Sequence, residues 1–290
     1  MSIQFPKIHQ GKVRDVYQID DQHLLMVASD RLSAFDVVLP DAIPHKGALL
    51  TQISNFWFEQ MRPIIKNHLA DVKVEDVIPS ASADLKARAV VVKKLKALPC
   101  EAIVRGYIIG SGWKDYLATG EVCGIKLPSG LKQAQKLDST LFTPSSKAAV
   151  GDHDENISFT QLVNLIGIER AEQLKTVSID IYNQAIKHAE SNGLMIADTK
   201  FEFGLDENDE LVLMDEVLTP DSSRFWNKNN YQAGSSPESY DKQFVRDYLE
   251  TLDWDKSSPG PHIPEDIINK TAEKYHEAYQ RITGKTFQLD

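Results

Sequence analysis

The sequence predicts an α+β fold rather than a doubly wound one, and three observations lead there. The first hundred residues read mainly as short strands of β-branched and aliphatic residues. The stretch after residue 158 opens with two helical patterns, and a second strand pair follows them. Strands and helices grouped in this way, instead of alternating one by one, belong to α+β proteins.

Residues 13–19 and 23–28, joined by the polar turn 20–22, form a hairpin pattern. Apolar residues on one face of 49–65 predict a helix that meets Pro63 near its end. Residues 89–95 and 101–109 are strand-like runs separated by the connection 96–99. Ser158 and Gln161 stand three apart ahead of Leu162, Val163 and Leu165, the spacing of a capping box. Leu174, Val177, Ile181, Ala185 and Ala189 then keep helical spacing as far as Asn192-Gly193, a left-handed stop. Residues 194–205 and 211–218 make a hairpin around the acidic turn 206–210. A Ser-Ser-Pro-Gly-Pro break at 257–261 precedes a last helix over 264–284. The natural division falls at the 96–99 connection, giving a β-rich part, 1–98, and an α+β part, 99–290.

Composition narrows the function. Lys and Arg number 32 against 42 Asp and Glu, a net charge of −10 that disfavours a nucleic-acid or anionic-membrane partner. The 42% hydrophobic and 26% charged content is that of an ordinary folded chain. Two unpaired cysteines, Cys100 and Cys123, fit a reducing compartment with no disulfide framework. No apolar run approaches the roughly 18 residues of a spanning helix, and the first ten residues lack a signal-peptide core. The expectation is a cytoplasmic protein, and the overall charge leaves room for a small basic pocket that takes a phosphorylated metabolite.

The segment from Asp198 to Arg224 is the richest in chemistry. Phe201 and Phe203 alternate with Lys200 and Glu202, so one strand face is apolar and the other charged. A turn symmetric about Asn208 sets Glu202 opposite Met214 and leaves Asp215 one position off. A one-residue bulge brings Glu202 and Asp215 side by side. Two carboxylates beside a lysine can form a Mg²⁺–phosphate site, since Mg²⁺ takes one or two protein carboxylates and fills the rest with water and nucleotide oxygens. A solvated polar face on an edge hairpin is the commoner origin of such spacing.

Pro220-Asp-Ser-Ser-Arg224 offers a guanidinium, hydroxyls and backbone N–H groups to one anion, or else a plain Asx turn. Gly11-Lys12-Val-Arg14 combines close backbone approach with two positive charges that a strand would set on one face. It is neither a GxGxxG nor a Walker loop. The polar clusters at 29–36 and 43–47 suit functional loops or well-bonded turns. Arg105, in an apolar strand ahead of Ile109-Gly-Ser111-Gly, requires an anionic partner from the chain or from a substrate. His45, His153 and His188 stand apart from one another and read as surface or capping residues. No triad or zinc spacing is present.

Taken together, GKVRDVY, SDRLSAFD, IPHKG, PCEAIVRGYIIGSGW, GDHDENISF, DTKFEFG, MDEVLTPDSSRFW and SYDKQFVRDYL resemble the SAICAR (phosphoribosylaminoimidazole-succinocarboxamide) synthetase family. They run in family order over about residues 11 to 250, and the length resembles the longer branch of roughly 300 residues. The resemblance implies a β-rich, kinase- or ATP-grasp-like ATP-holding part packed on a larger α+β part. It implies a carbon–nitrogen ligase of de novo purine (IMP) biosynthesis. ATP, L-aspartate and the carboxylate of carboxyaminoimidazole ribonucleotide give SAICAR, ADP and phosphate, through an acyl phosphate or a more concerted path.

The cofactors so implied are ATP and Mg²⁺, and the assembly a monomer or small homo-oligomer. By the same resemblance Gly11, Lys12 and Arg14 lie along the triphosphate, with Lys200 against the phosphates, and the connection from Leu95 through Ala97 to Leu98 meets adenine. Glu202 and Asp215 hold Mg²⁺. Arg105 and Ser111 face ribonucleotide and aspartate, while Asp221, Ser223 and Arg224 orient the imidazole ribonucleotide. Lys242 and Arg246 lie near its 5′-phosphate. Lys200, Arg105 and Arg224 are the implied catalytic side chains. A small-molecule kinase on the same framework, with a hydroxyl acceptor, is the alternative.

Overall fold

The computed structural model describes residues 3–147, 155–240 and 242–289. β1 (Lys7–Gln10), β2 (Arg14–Gln18) and β3 (His23–Ala28) form an antiparallel meander. A short hairpin, β4 (Arg31–Ala34) with β5 (Val37–Ala42), and three helices intervene before β6 (Ala89–Lys93) closes the sheet in the order β1-β2-β3-β6. The helices are α1 (Lys46–Met61), α2 (Val74–Val77) and α3 (Ala83–Arg88). The expected hairpin at 13–19 and 23–28 is present, one residue shorter at each end of its first strand.

The expected helix over 49–65 is shifted. It starts at Lys46, directly after His45 with its left-handed φ of 63°, and ends at Met61 because Pro63 has no N–H to continue the ladder. Ala48, Leu49, Ile53, Trp57 and Met61 are all buried, the i, i+4 stripe that a core-facing helix needs.

β7 (Lys96–Ala97) carries the chain from the small sheet to a large antiparallel one, whose spine is β8 (Cys100–Tyr107) and β14 (Leu194–Leu205). Between them lie α4 (Gly110–Thr119), the pair β9 (Glu121–Val122) and β10 (Ile125–Lys126), β11 (Lys136–Phe142), β12 (Ser145–Ser146), β13 (Glu155–Asn156), α5 (Phe159–Ile166) and α6 (Ile168–Ser191). β15 (Leu211–Met214) and β16 (Ser223–Asn227) both pair with β14, and α7 (Gln243–Glu250) and α8 (Glu265–Thr283) complete the fold.

The capping box at α5 is formed: Ser158 Oγ accepts from the Gln161 N–H at 3.2 Å, and the Ser158 N–H donates to Gln161 Oε1 at 2.8 Å. On α6, Leu174, Ile181, Ala185 and Ala189 are buried and Val177 packs at the margin. One core gathers α1, α6 and α8 against the apolar face of β14, where Phe201 and Phe203 point inward. Each such aliphatic or aromatic side chain contributes about 1.5–3 kcal/mol by leaving water. The residues grouped as early strands and late helices thus interleave in space, since β8 and β14 lie side by side although 93 residues separate Arg105 from Asp198. No helix among the described residues is long and apolar enough to cross a membrane.

Candidate active site

Alternation along β14 sets Asp198, Lys200 and Glu202 on one face, away from the core. The register with β8 places Asp198 directly across from Arg105. Arg105 is 2% exposed and its nitrogens are engaged internally at 2.9 Å: Nη1 with Asp198 Oδ2, Nη2 with Ser111 Oγ and Nε with Thr143 Oγ1. The anionic partner required by Arg105 therefore comes from the chain itself. Arg224 Nη1 also donates to Asp198 Oδ2, so one carboxylate holds two guanidiniums. Gly110 makes room for this: its φ is +60°, and a Cβ there would lie 2.5 Å from Arg224 Nη2.

A cleft of about 220 Å³ opens on this network. Arg105, Ser111, Asp221, Ser223, Arg224 and Arg246 all line it, together with Asp198 and Lys200. Lys242, at the start of α7, lies outside that lining yet near enough to act on Asp221. Burial pushes the Asp221 carboxyl upward, but the charges of Lys242 and Lys46, with a hydrogen bond from Tyr275, outweigh it and hold the group well below the carboxylate range.

At the other end of β14 the ladder pairs Glu202 with Met214 and Leu205 with Leu211, the register read from the sequence. The second strand stops at Met214 rather than reaching 218, and no bulge occurs between the pairs. Instead Asp215 takes a left-handed φ of 68°, which re-aims its carboxylate. Burial, and after it the charge of Glu202, push Asp215 above its ordinary range, while Arg14, Lys200 and Lys147 pull it down. Arg14 reaches it from the small sheet, with Nη1 2.9 Å from Asp215 Oδ1 and Nη2 2.8 Å from Glu216 Oε1. Lys147 pairs with Glu202. Lys200 lies between the two ends, bonded to Glu101 and 3.8 Å from Glu202; burial disfavours its charge, but these carboxylates keep its pKa raised.

Arg14, Asp215, Glu216 and Lys46 line a narrow second cavity of about 30 Å³ beneath the small sheet. Lys12 does not share a strand face with Arg14: it lies in the bend before β2 and pairs with Asp36. Arg31 braces that bend through the carbonyls of Gly11 and Lys12. Ala97 pairs with Gly204, two residues beyond Glu202, and Leu95 packs over the same glycine. The Leu98 N–H is already donated to Phe203, so alternation turns the Ala97 backbone groups away from β14.

The pattern of the SAICAR synthetase family matches residues 7–261. The chain belongs to that family. A phosphoribosylaminoimidazole-succinocarboxamide synthase of Methylobacillus flagellatus is 59% identical over 97% of this chain and 95% of its own, and one of Neisseria meningitidis serogroup B 59% over 96% and 97%. A Saccharomyces cerevisiae SAICAR synthase solved as a complex with SAICAR superposes with a TM-score of 0.91 at 44% identity, covering 98% of this chain and 96% of that one. A SAICAR synthetase solved with ADP gives 0.72 at 25% identity, over 97% and 99%. ATP-dependent ligation in purine biosynthesis follows from membership of the SAICAR synthetase family, and the kinase alternative is not favoured.

Some members of the site are absent from the sequence reading as named participants. Glu101 and Asp198 lie inside the family motifs PCEAIVRGYIIGSGW and DTKFEFG, where strand alternation puts Glu101 on the face of Arg105 and Asp198 on the face of Lys200. The β8–β14 register that sets Asp198 across from Arg105 has no local signal. Lys46, inside IPHKG, is fully buried, and Tyr275 carries no local signal at all. Of GDHDENISF, residues 151–154, including His153, lie outside the described residues, as does Asp241 of SYDKQFVRDYL. His188, expected as a surface or capping residue, is half-buried: it packs edge-on against Trp57 at 5.1 Å, and its Nε2 bonds the Ile282 carbonyl in the last turn of α8 at 2.7 Å, a capping contact. His45 and His276 are likewise in ring contact, at 6.1 Å. Burial pushes both cysteine thiols up to about 11, so they stay neutral.

Proposed function

We propose that the face of β14 carries the whole reaction: the carboxylate of carboxyaminoimidazole ribonucleotide is phosphorylated by ATP and then captured by the amine of L-aspartate. The observation that carries this reading is the alignment of Asp198, Lys200 and Glu202 on one strand face. It sets Asp198, in the arginine-lined cleft, and Glu202, of the paired carboxylates, about 13 Å apart at 3.3 Å of rise per residue, with Lys200 between them.

Glu202 and Asp215 suit Mg²⁺. They are hard oxygen donors brought together by the left-handed turn at Asp215, and burial beside Glu202 raises the cost of that turn's charge unless a cation is near. Among the described residues no cluster of three or more His, Cys, Asp and Glu forms a closed cage, and a nucleotide-bridged Mg²⁺ needs none. When bound, the ion would neutralise charge on the transferring phosphoryl group and its leaving group.

The chain's own residues supply the rest. Gly11, Lys12, Arg14 and Lys200 line the path of the triphosphate, and the backbone at Leu95 and Ala97 meets the base. Lys200, kept protonated by Glu101, offers a fixed positive charge to the phosphoryl group. Arg224, Ser111 and Ser223 face the imidazole carboxylate and aspartate, with Lys242 and Arg246 toward the ribonucleotide phosphate. Arg105 serves by fixing Asp198 and Ser111, and so by aiming Arg224.

A ribonucleotide carboxylate oxygen attacks the γ-phosphorus and ADP departs. The aspartate amine then adds to the activated carbonyl carbon, and phosphate leaves as the C–N bond forms. Such transfer depends on position and neutralised charge rather than on a protein nucleophile. A coupled ADP-release assay with each substrate withheld in turn tests the proposal. Sustained ADP release is expected only when aspartate and the imidazole ribonucleotide are both present, and sustained release with either omitted would overturn the proposal.

A further inference from the structure

The family match ends at residue 261, yet α8, which begins at Glu265, bonds through Tyr275 to Asp221 in the lining of the cleft. Its buried residues Thr271, Tyr275, Ala278, Tyr279 and Ile282 recur at helical spacing and pack on α1. The two helices are fastened side by side: Tyr279 Oη donates to Gln52 Oε1 at 3.0 Å, and Phe287, just past α8, packs against His45 and His276.

Where they meet, Lys46 and Tyr275 converge on one carboxylate. Lys46 Nζ is 2.7 Å from Asp221 Oδ2 and the Tyr275 hydroxyl donates to Asp221 Oδ1 at 2.6 Å. Lys46 also lies 5.7 Å from the Tyr275 ring centre. Lys46 is fully buried, a costly place for an ammonium unless it is paired, and Asp221 is its ion partner. Both oxygens of Asp221 are thus fixed from behind by two helices while its backbone loop lines the cleft.

We infer that Lys46 and Tyr275 are positioning residues for the substrate loop: they hold Asp221, and with it Ser222, Ser223 and Arg224, in the orientation that receives the imidazole ribonucleotide. The inference rests on the proposed assignment of that loop to the ribonucleotide. Neither side chain touches substrate in this account. α8 acts through Asp221, and α1 contributes Lys46, which together with Lys242 keeps Asp221 ionised. Lys46 also lines the cavity that holds Arg14 and Asp215, so the Lys46–Asp221 pair forms part of the wall between the two halves of the site.

Steady-state kinetics on the full-length chain, varying ATP, aspartate and the imidazole ribonucleotide separately, tests this alongside thermal melting. Tyr275→Phe keeps the ring and removes one hydrogen bond to a charged group, so KM for the ribonucleotide is expected to rise about tenfold. KM for ATP, and kcat at saturating ribonucleotide, are expected to stay within about twofold, the mark of lost binding rather than lost chemistry. Lys46→Met is expected to act in the same direction and more strongly; if it fails to fold, Tyr275→Phe carries the test alone. Asp221→Asn separates the two layers. If Asp221→Asn raises the ribonucleotide KM and Tyr275→Phe does not, the positioning role is wrong and the substrate loop stands. If Asp221→Asn leaves that KM unchanged, both fall. A lowered melting temperature with every KM unaltered would reduce Tyr275 to a structural contact and overturn the inference.

Discussion

Glu202 and Asp215 sit at one end of the site with partners that all reach solvent, whereas Asp198 and Asp221 at the other end are each gripped by one buried cation, Arg105 and Lys46, beside the half-buried Arg224 and Lys242. Lys147 and Lys200, which face Glu202, are 32% and 40% exposed, and Arg14 beside Asp215 is 20% exposed. Arg105 on Asp198 is 2% exposed and Lys46 on Asp221 is fully buried. Half-buried pairs that still reach water exchange partners more cheaply than fully buried ones, since pairs wholly in solvent are worth only about 0–1 kcal/mol. Buried pairs cannot be exchanged, since removing one partner strands a charge. The same residue type therefore plays two parts. In the proposed reaction one pair of carboxylates releases its lysines and arginine to the phosphates and takes a metal ion, and the other pair is scaffolding that aims Arg224 and the proposed substrate loop.

The sharpest way to break this comparison is Asp198→Asn. It leaves the buried Arg105 guanidinium without its anion and is expected to lower stability by about 3–5 kcal/mol, read by urea denaturation. A loss comparable to that of a surface substitution would show that Asp198 is not scaffolding. Glu202→Gln and Asp215→Asn should behave in the opposite way. Mg²⁺-dependent kcat is expected to fall about 10²- to 10³-fold while the urea midpoint moves less than for Asp198→Asn, because the cations left behind still reach solvent.

A pH titration of stability sharpens the contrast further. His68, buried against Phe58, has its backbone N–H bonded to Leu213 O, two residues before Asp215. Burial, helped by Arg14, lowers its pKa from 6.5 to about 3. Its contribution is full above about pH 6.5. Below that the unfolded chain binds a proton that the folded chain refuses, so stability falls by about 1.4 kcal/mol per pH unit down to about pH 3. His68→Leu is expected to flatten that part of the curve in equilibrium unfolding. The smallest effect belongs to Lys12→Met: its ion pair with Asp36 is more than half exposed, so the melting temperature should hold while KM for ATP rises severalfold.

The sequence carried the local half of this architecture and little of the rest. Alternation at Lys200–Phe203, the 202–214 register and the capping box at Ser158 all follow from period and turn chemistry, and all are present. The turn that delivers Asp215 was not legible, because a left-handed aspartate leaves no periodic trace. The misplaced ends of α1 have the same origin, in the left-handed His45 and in Pro63. The Lys12–Arg14 face failed because β2 begins only at Arg14. The site's scaffolding was hidden for another reason. Arg105 with Asp198, Lys46 with Asp221, and Tyr275 with Asp221 are separated by 93, 175 and 54 residues, and only packing brings such partners together. Family motifs marked most of these segments as belonging together but could not say which carboxylate supports and which one binds.

Equilibrium binding tests that distinction most directly, with Mg²⁺·ADP and the imidazole ribonucleotide titrated separately into the unmodified chain, Glu202→Gln and Asp221→Asn. The account predicts that Glu202→Gln loses the Mg²⁺-dependent part of nucleotide affinity and keeps ribonucleotide affinity, and that Asp221→Asn does the reverse. Equal loss of both ligands in both variants would contradict it.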